Sequence, residues 1–284
     1  MKPEVRAFFH EPTFTLSYLV WDAASKRAAI IDSALDFDAK SGRTGAQFAQ
    51  RIVDAVKAEG LKVEWILETH AHADHLTAAP FLKRAVGGKT VIGDHIGEVQ
   101  NAFTGVFNLH GVKPSAFDKL VRDGETLPLG ELGIKVMHTP GHTPACVTYA
   151  IGDAAFVGDT LFMPDYGTAR TDFPGGDART LYRSIKRILA LPRETRLFLC
   201  HDYKAPGRER FEWETTVQAE RETNIHVHDG VTEDAFVAMR EARDRTLDTP
   251  ALLLPAIQVN IRAGALPAPE DNGVRYLKIP LDTL

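Results

Sequence analysis

The sequence predicts an α/β fold, a sandwich with two β-sheets inside and helices on the outside. Three observations indicate this class. Segments rich in aromatic and β-branched residues alternate with segments of helical period in both halves of the chain. Strand-like segments lie both before and after the predicted helices, so neither half is purely helical or purely β. The 284 residues, of which 44% are hydrophobic, suffice for a large buried core.

The first half of the chain begins with predicted strands, separated by Pro and charged turns, at residues 5–9, 13–21 and 28–32. The polar stretch 33–44 predicts irregular structure. A helix is predicted at 45–60, because apolar side chains recur on one face and Gly60 can end the helix. The elements predicted next are a strand at 63–69, a helix at 77–86 that ends at two glycines, a strand at 90–92 and a helix near 96–107.

The second half returns to β structure before it becomes helical. Its predicted elements are strands at 133–138, 146–151 and 154–157, a helix at 178–189, a strand at 196–200, and helices near 213–224 and 233–246. A Pro-rich tail follows. We divide the chain into one domain at 1–245 and a C-terminal extension at 246–284, whose apolar runs predict packing on the domain or on a partner subunit.

Composition excludes several classes of protein. The net charge of −5 is mild and scattered, which gives no electrostatic footprint for nucleic acid. We find neither an apolar stretch of membrane-spanning length nor the pattern of a signal peptide. The two cysteines do not make a disulfide framework, so we expect a reducing compartment, the cytoplasm, and no membrane partner.

The run HAHADH at 70–75 directly follows a predicted strand. It places His70, His72, Asp74 and His75 within six residues, separated by small alanines. Imidazole and carboxylate are the ligands that hold Zn or Fe in open catalytic sites. A polar loop whose histidines bond to the backbone would explain one histidine but not this cluster. The run therefore predicts a metal site.

Three more potential ligands follow the ends of later predicted strands. They are His142 in TPGHTP, Asp159 in GDTL and His201 in LCHD. Taken singly, each could be a turn histidine, a capping aspartate or a hydrogen-bonded histidine at the end of a strand. Their order after the HAHADH run favours one shared site.

The motifs HAHADH, TPGHTP, GDTL and LCHD, in this order, resemble those of the metallo-β-lactamase superfamily. The resemblance implies a four-layer αββα sandwich with the metal at one edge of the two sheets. In the binuclear hydrolases of the superfamily one metal would take His70, His72 and His142. The other would take Asp74, His75 and His201, with Asp159 as the bridge. That ligand set implies two zinc ions and a hydrolase of the glyoxalase II type, acting on a glutathione thioester or a lactone.

The residues around these motifs are similar to those of the persulfide dioxygenases. The similarity lies in TPACVT at 143–148, ERETN at 220–224 and the stretch MPDYGTARTDFPGGDARTLYRSI at 163–185, which resembles the second bacterial type. This family implies one Fe(II) per chain, held by His70, His142 and Asp159. The remaining four ligand candidates would then surround the iron and orient its ligands: His72, Asp74, His75 and His201. Arg170 and Asp172 match a family pair near the iron, and we expect them to form an ion pair.

The family resemblance implies oxidation of glutathione persulfide with O2 and water to sulfite and glutathione. Glutathione carries two carboxylates, so cations and phenols are expected in its pocket. The candidates are Tyr166, Tyr203, Lys204, Arg208 and Arg221. The family also suggests a homodimer. The alternatives are the binuclear zinc hydrolase and, outside enzymes, a sulfur- or metal-sensing binding protein.

Overall fold

Two six-stranded β-sheets face each other in the computed structural model, which describes residues 2–283, and helices cover the outer faces of both sheets. The α/β prediction and the four-layer αββα sandwich are therefore confirmed. Almost every predicted strand and helix is present, with ends that differ by a few residues.

The first sheet comes from the N-terminal half and has the order β1-β2-β3-β6-β8-β9. Its strands are β1 (Glu4–His10), β2 (Thr15–Trp21), β3 (Arg27–Ile31), β6 (Lys62–Leu67), β8 (Lys89–Gly93) and β9 (Lys119–Val121). From β3 to β9 the strands are parallel. A small third sheet has the order β5-β4-β7 and contains β4 (Ala34–Asp38), β5 (Arg43–Gly45) and β7 (Leu76–Thr77).

The second sheet comes from the C-terminal half and has the order β10-β11-β12-β13-β14-β15. Its strands are β10 (Thr126–Leu129), β11 (Leu132–His138), β12 (Val147–Ile151), β13 (Ala154–Phe156), β14 (Arg196–Phe198) and β15 (Glu214–Thr216). Only β13 and β14 are parallel among the paired strands described for this sheet.

The central core lies between the two sheets. Alternate side chains of both sheets meet there, including Leu16, Tyr18 and Val20 of β2 and Ile134, Val136 and Tyr149 of β11 and β12. The Tyr18 and Tyr149 hydroxyls cross between the sheets and donate to the backbone oxygens of Leu199 and Glu68. These two bonds join the sheets close to the ends of the strands that carry the HAHADH and LCHD motifs.

Seven α-helices in the described part of the chain flank the sheets: α1 (Gln47–Ala58), α2 (Ala79–Val86), α3 (Ile96–Val106), α4 (Ala178–Ile188), α5 (Val217–Thr223), α6 (Glu233–Asp244) and α7 (Leu253–Asn260). The apolar faces of α1 and α2 pack on the outer face of the first sheet. Leu181, Ile185 and Ile188 of α4 pack on the outer face of the second sheet, together with Phe236 of α6. Within residues 2–283 no helix has the length and apolarity that crossing a membrane requires.

Several sequence predictions are wrong in detail. Residues 33–44 are not irregular but form most of the hairpin β4–β5. Leu35 and Phe37 do alternate with Asp36 and Asp38 in β4, but the run is short and the three residues of β5 include no apolar side chain. The helix predicted from 213 begins at Val217, because 214–216 pair with β14 as an edge strand. The tail contains a helix, α7, which was not predicted because it is short and contains Pro255.

The topology places the polar motifs at one edge of the sandwich. The parallel strands β3 and β6 lead into Asp32 and the HAHADH run, and β13 and β14 lead into Asp159 and His201. Thr15 and His201 form a bridge between the sheets at this edge. The carboxyl ends of parallel strands, where α/β folds build their sites, therefore meet at one place.

Candidate metal centre

The HAHADH run folds as a tight, almost wholly buried turn after β6. His70, His72 and His75 are each 2% exposed or less, and Asp74 is half-buried. The start of the turn is held by Asp32, which accepts hydrogen bonds from the Thr69 backbone N–H at 2.7 Å and the Thr69 hydroxyl at 2.9 Å. The turn is thus fixed from the neighbouring strand β3.

One group of potential ligands contains His70, His142 and Asp159, whose donor atoms lie within 4.8 Å of one another. Asp159 Oδ2 lies 3.8 Å from His70 Nε2 and 3.6 Å from His142 Nε2. His142 Nδ1 donates to the Arg170 backbone oxygen at 2.8 Å, and His70 Nδ1 lies 3.0 Å from the Thr69 hydroxyl. Each imidazole is therefore held through Nδ1, on the side away from the site, and its Nε2 points toward Asp159.

The second group contains His72, Asp74, His75 and His201. His201 Nε2 lies 3.0 Å from Asp74 Oδ2 and 3.3 Å from Asp159 Oδ1, so Asp159 stands between the two groups. The contacts through Nδ1 are longer here: His75 lies 3.3 Å from the Thr15 hydroxyl, and His201 lies 3.3 Å from the Phe14 backbone oxygen. His75 and His201 are therefore less tightly oriented than the two histidines of the first group.

Five buried polar atoms at this place make no hydrogen bond with any described residue. They are His72 Nδ1, Asp74 Oδ2, His75 Nε2, Asp159 Oδ1 and His201 Nε2. An unsatisfied buried polar group costs about 1–3 kcal/mol, so five in one place call for a common partner. Imidazole nitrogens and carboxylate oxygens that converge in this way are the donor set of a transition metal. The site fits a metal ion.

The charges of the site favour metal binding. Burial, and next the neighbouring His72, lower the pKa of His70 well below its ordinary value and that of His75 to about 4, so both imidazoles are neutral. Burial opposes ionisation of Asp74, but His201 and His75 outweigh it and lower the pKa of its carboxyl. Neutral imidazoles and ionised carboxylates are the forms that bind metal.

Asp32 and Glu68 are site residues that the sequence analysis missed. His72 Nε2 lies 3.0 Å from Asp32 and 3.4 Å from Glu68. Burial lowers the pKa of His72, but the two carboxylates outweigh it and raise that pKa well above its ordinary value. Nε2–H therefore faces the carboxylates, and a metal ion at Nδ1 would displace the second proton that this raised pKa favours. The signal was present, since Asp32 follows an apolar strand in the same way as Asp159.

A cavity of about 380 Å³ opens above the donors. Asp74, His142 and Asp159 lie at its base. Its wall is largely aromatic and aliphatic, with three arginines, and comprises Phe14, Phe162, Tyr166, Phe173, Tyr203, Arg170, Arg240, Arg243, Leu247 and residues 250–252. Residues of the C-terminal extension thus form one side of the cavity.

Arg170 and Asp172 form a two-point ion pair, with the Nε–Oδ1 distance at 2.6 Å and the Nη2–Oδ2 distance at 2.7 Å. The third nitrogen of Arg170 donates to the Asp248 backbone oxygen at 2.7 Å. Because the backbone oxygen of Arg170 accepts from His142, this pair steadies the loop that orients a potential ligand.

The residues expected to bind glutathione divide into two sets. Tyr166 and Tyr203 line the cavity, with ring centroids 5.3 Å apart. Lys204, Arg208 and Arg221 do not line it, because other groups hold each of them. Lys204 lies over the Phe211 ring at 4.2 Å, Arg208 pairs with Asp165 and Asp202, and Arg221 pairs with Asp229 at 2.9 Å. Of the five candidates, the two tyrosines therefore lie in the cavity and the three cations lie outside it.

A buried polar network holds the wall from behind. Arg240, which is 1% exposed, donates to Asp244 and to the Thr168 backbone oxygen, and Asp244 accepts from the Thr171 N–H and hydroxyl at 2.9 Å each. His226 Nδ1 accepts from the Thr168 N–H at 3.1 Å. Gly167, with φ of +102°, leaves room for this ring, because a Cβ there would lie 2.1 Å from His226 Nδ1. Lone polar residues, two on α6 and three in loops, gave no sequence signal for this network.

The Metallo-beta-lactamase superfamily profile matches residues 10–201, a span that holds all seven potential ligands. With the four-layer sandwich and the donors at its edge, this match shows that the chain belongs to the metallo-β-lactamase superfamily.

Within the superfamily the chain is similar to proteins of differing description. It is 57% identical to a probable metallo-hydrolase of Burkholderia pseudomallei (99% of both chains covered) and 47% identical to Glyoxylase B2 of Dictyostelium discoideum (100% and 98% covered). It is 32% identical to the mitochondrial persulfide dioxygenase ETHE1 of Bos taurus, over 70% of this chain and 68% of that one. The chain spans 65% of the length of the beta-lactamase hydrolase-like protein of Xylella fastidiosa, to which it is 52% identical.

Among solved structures, the crystal structure of ETHE1 from Myxococcus xanthus superposes with a TM-score of 0.74 at 29% sequence identity. The superposition covers 92% of this chain and 100% of that one.

Proposed function

We propose that the chain is a persulfide dioxygenase that contains one Fe(II) and oxidises glutathione persulfide. One persulfide, one O2 and one water would give sulfite, glutathione and two protons. The observation that carries this proposal is the group of two histidines and one carboxylate, His70, His142 and Asp159, with both imidazoles oriented from behind. The similarity to the two ETHE1 proteins supports it.

When bound, ferrous iron would supply the open coordination positions at which O2 and a sulfur atom can meet. This chain's own residues have other tasks. Arg170 and Thr69 orient the two imidazoles, and the aromatic wall shields the reacting sulfur from bulk water. Tyr166 and Tyr203 present phenols to the cavity, where they can bond polar groups of the glutathione moiety.

The proposal replaces the three cations that lie outside the cavity with Arg243. Arg243 is exposed at the cavity rim, and no ion pair within residues 2–283 involves it. Arg170 and Arg240 also line the cavity, but carboxylates already neutralise them. Arg243 is therefore the cavity arginine available to a glutathione carboxylate. The proposal includes a cytoplasmic location, where glutathione is kept reduced.

A second candidate is a binuclear zinc hydrolase of the glyoxalase II type. The observation that favours it is the set of five unpartnered atoms, which includes all four residues of the second group. Relatives described as a metallo-hydrolase and a glyoxylase share more sequence identity with the chain than the dioxygenases do.

The experiment that separates the two begins with anaerobic purification and metal analysis. The dioxygenase requires about one iron per chain and consumption of O2 on addition of glutathione persulfide, with sulfite as product. Two zinc ions per chain, hydrolysis of a glutathione thioester and no O2 uptake would overturn the proposal in favour of the hydrolase. The iron-loaded and zinc-loaded forms of the same preparation, assayed with both substrates, serve as matched controls.

A further inference from the structure

We propose that Asn260 is a positioning residue of the metal-binding turn. Asn260 is the last residue of α7, lies far beyond the superfamily match that ends at residue 201, and is 3% exposed. This inference concerns how the turn is held, so it is independent of the reaction that the metal supports.

The carboxamide of Asn260 makes three hydrogen bonds, all to the backbone of the turn. Its Nδ2 donates to the backbone oxygens of His72 at 2.8 Å and His75 at 2.7 Å. Its Oδ1 accepts from the Thr77 N–H at 3.0 Å. One planar group therefore spans the segment 72–77, which contains three of the seven potential ligands.

The turn needs such a clamp because much of it lies outside regular secondary structure. Residues 70–75 belong to no strand or helix, so their buried backbone groups cannot rely on a ladder of hydrogen bonds. Without the Asn260 side chain, two carbonyl oxygens and one N–H would lose their partner. The His72 and His75 rings would then be free to rotate with their backbone.

Packing holds Asn260 in place. Leu253, Ile257 and Ile261 lie in one apolar cluster with Ala71 and Ala73 of the turn. Ala256 and Val259, on another side of α7, pack with Leu76. The small side chains of Ala71 and Ala73 let the helix approach the turn closely, which explains why alanines separate the histidines.

A substitution of nearly identical shape tests the role. Asn260→Asp replaces the donating amide with an oxygen that faces two carbonyl oxygens, which turns two attractive contacts into repulsive ones. The matched control is Gln258→Glu, two residues earlier on the same buried helix. Gln258 bonds the backbone of Leu254 and Lys278 and makes no hydrogen bond to the turn.

The measurement is titration of metal-free protein with Co²⁺, whose visible absorption reports both affinity and ligand geometry. We expect Asn260→Asp to weaken Co²⁺ binding about ten- to a hundredfold and to change the absorption spectrum, because His72, Asp74 and His75 either bind the metal or surround its ligands, and disturbing groups of either kind has effects of this size. Gln258→Glu should bind Co²⁺ within about twofold of the unmodified protein, with the same spectrum, by the same reasoning.

Asn260→Ala provides a second test if the aspartate variant does not fold. It removes the clamp without adding a charge, and it should also weaken Co²⁺ binding and alter the spectrum. Wild-type affinity and spectrum in either folded variant would overturn the proposal, even if the melting temperature fell. Equal weakening in Gln258→Glu would also overturn it, because the effect would then belong to the helix and not to the clamp.

Discussion

The base and the wall of the cavity are built in opposite ways. The base consists of short, buried side chains at the ends of strands, nearly all fixed by at least one hydrogen bond. The wall is assembled from separate segments, around residues 12–14, 162–173, 203 and 240–252, and consists mainly of aromatic and aliphatic side chains. Arg243 in the wall is exposed, whereas His201 in the base is fully buried.

This difference teaches which property each region controls. Each side chain in the base contributes one donor atom at a fixed place, so a substitution there removes a function that no neighbour supplies. Wall side chains contribute shape and a few polar contacts, so a substitution there changes affinity or stability by about 1–2 kcal/mol. Three experiments test the contrast, from the largest expected effect to the smallest.

His142→Ala and His201→Ala separate the two donor groups within the base. If a single iron uses the first group, His142→Ala should lose iron and at least about a thousandfold in kcat/KM, which corresponds to roughly 4 kcal/mol. His201→Ala should keep iron and lose about ten- to a hundredfold. Iron content and O2 uptake of the two variants are the measurements. Complete loss of iron from His201→Ala would contradict the one-iron proposal and make the two groups equivalent.

His226→Asn tests the support of the wall through the pH dependence of folding. Burial, followed by the charge of Arg240, lowers the pKa of His226 to about 4, below the value of about 6.5 expected in the unfolded chain. The unfolded state therefore binds the extra proton between these pH values, and stability falls as the pH falls through this window.

Between pH 7 and pH 5, protonation of His226 in the unfolded state should lower the free energy of unfolding by about 2 kcal/mol. Denaturant unfolding at the two pH values measures the loss, and the asparagine variant should show a loss smaller by about that amount. Its amide can still accept from the Thr168 N–H, so the two proteins should have similar stability at pH 7. An unchanged pH dependence would show that His226 does not titrate in this way.

Arg243→Ala tests substrate binding at the rim, with Arg221→Ala as its control. Arg243 lines the cavity, and Arg221 pairs with Asp229 away from it. Because Arg243 is exposed, its contact with a glutathione carboxylate should contribute only about 1 kcal/mol, a rise in KM of roughly fivefold with little change in kcat. Arg221→Ala should leave KM unchanged. The reverse outcome in steady-state kinetics would move the glutathione site to α5.

The difference between the base and the wall also explains which site residues could be predicted from the sequence. The ligand candidates of the base follow apolar strands in recognisable motifs, so their convergence could be predicted from strand order alone. Asp32 also follows an apolar strand, but it lies outside the four recognised motifs and was not predicted. Arg240, which lines the wall, and Asn260, which holds the metal-binding turn, lie on helices where a polar residue usually faces solvent. Only packing reveals that these two are buried.

The element boundaries show a similar limit. The helix α1 was predictable because Phe48, Ile52 and Val56 repeat along one face. The helix α7 is buried on nearly all sides and so has no polar face to give a period, and its apolar residues include Pro255. The position of Arg221 outside the cavity was not predictable for a different reason, since its pairing with Asp229 depends on the turn after α5, which residue type does not specify.

The contact between Asn260 and His75 joins residues 185 positions apart in the chain. During synthesis the histidine-rich turn emerges from the ribosome long before the helix that clamps it, and His142, Asp159 and His201 also follow later. The histidines of the turn are therefore exposed in the growing chain before the remaining ligands that would enclose an ion have been made. Enclosure of a metal ion by the complete site must await the synthesis of residue 260, which links the choice of metal to the folding of the domain.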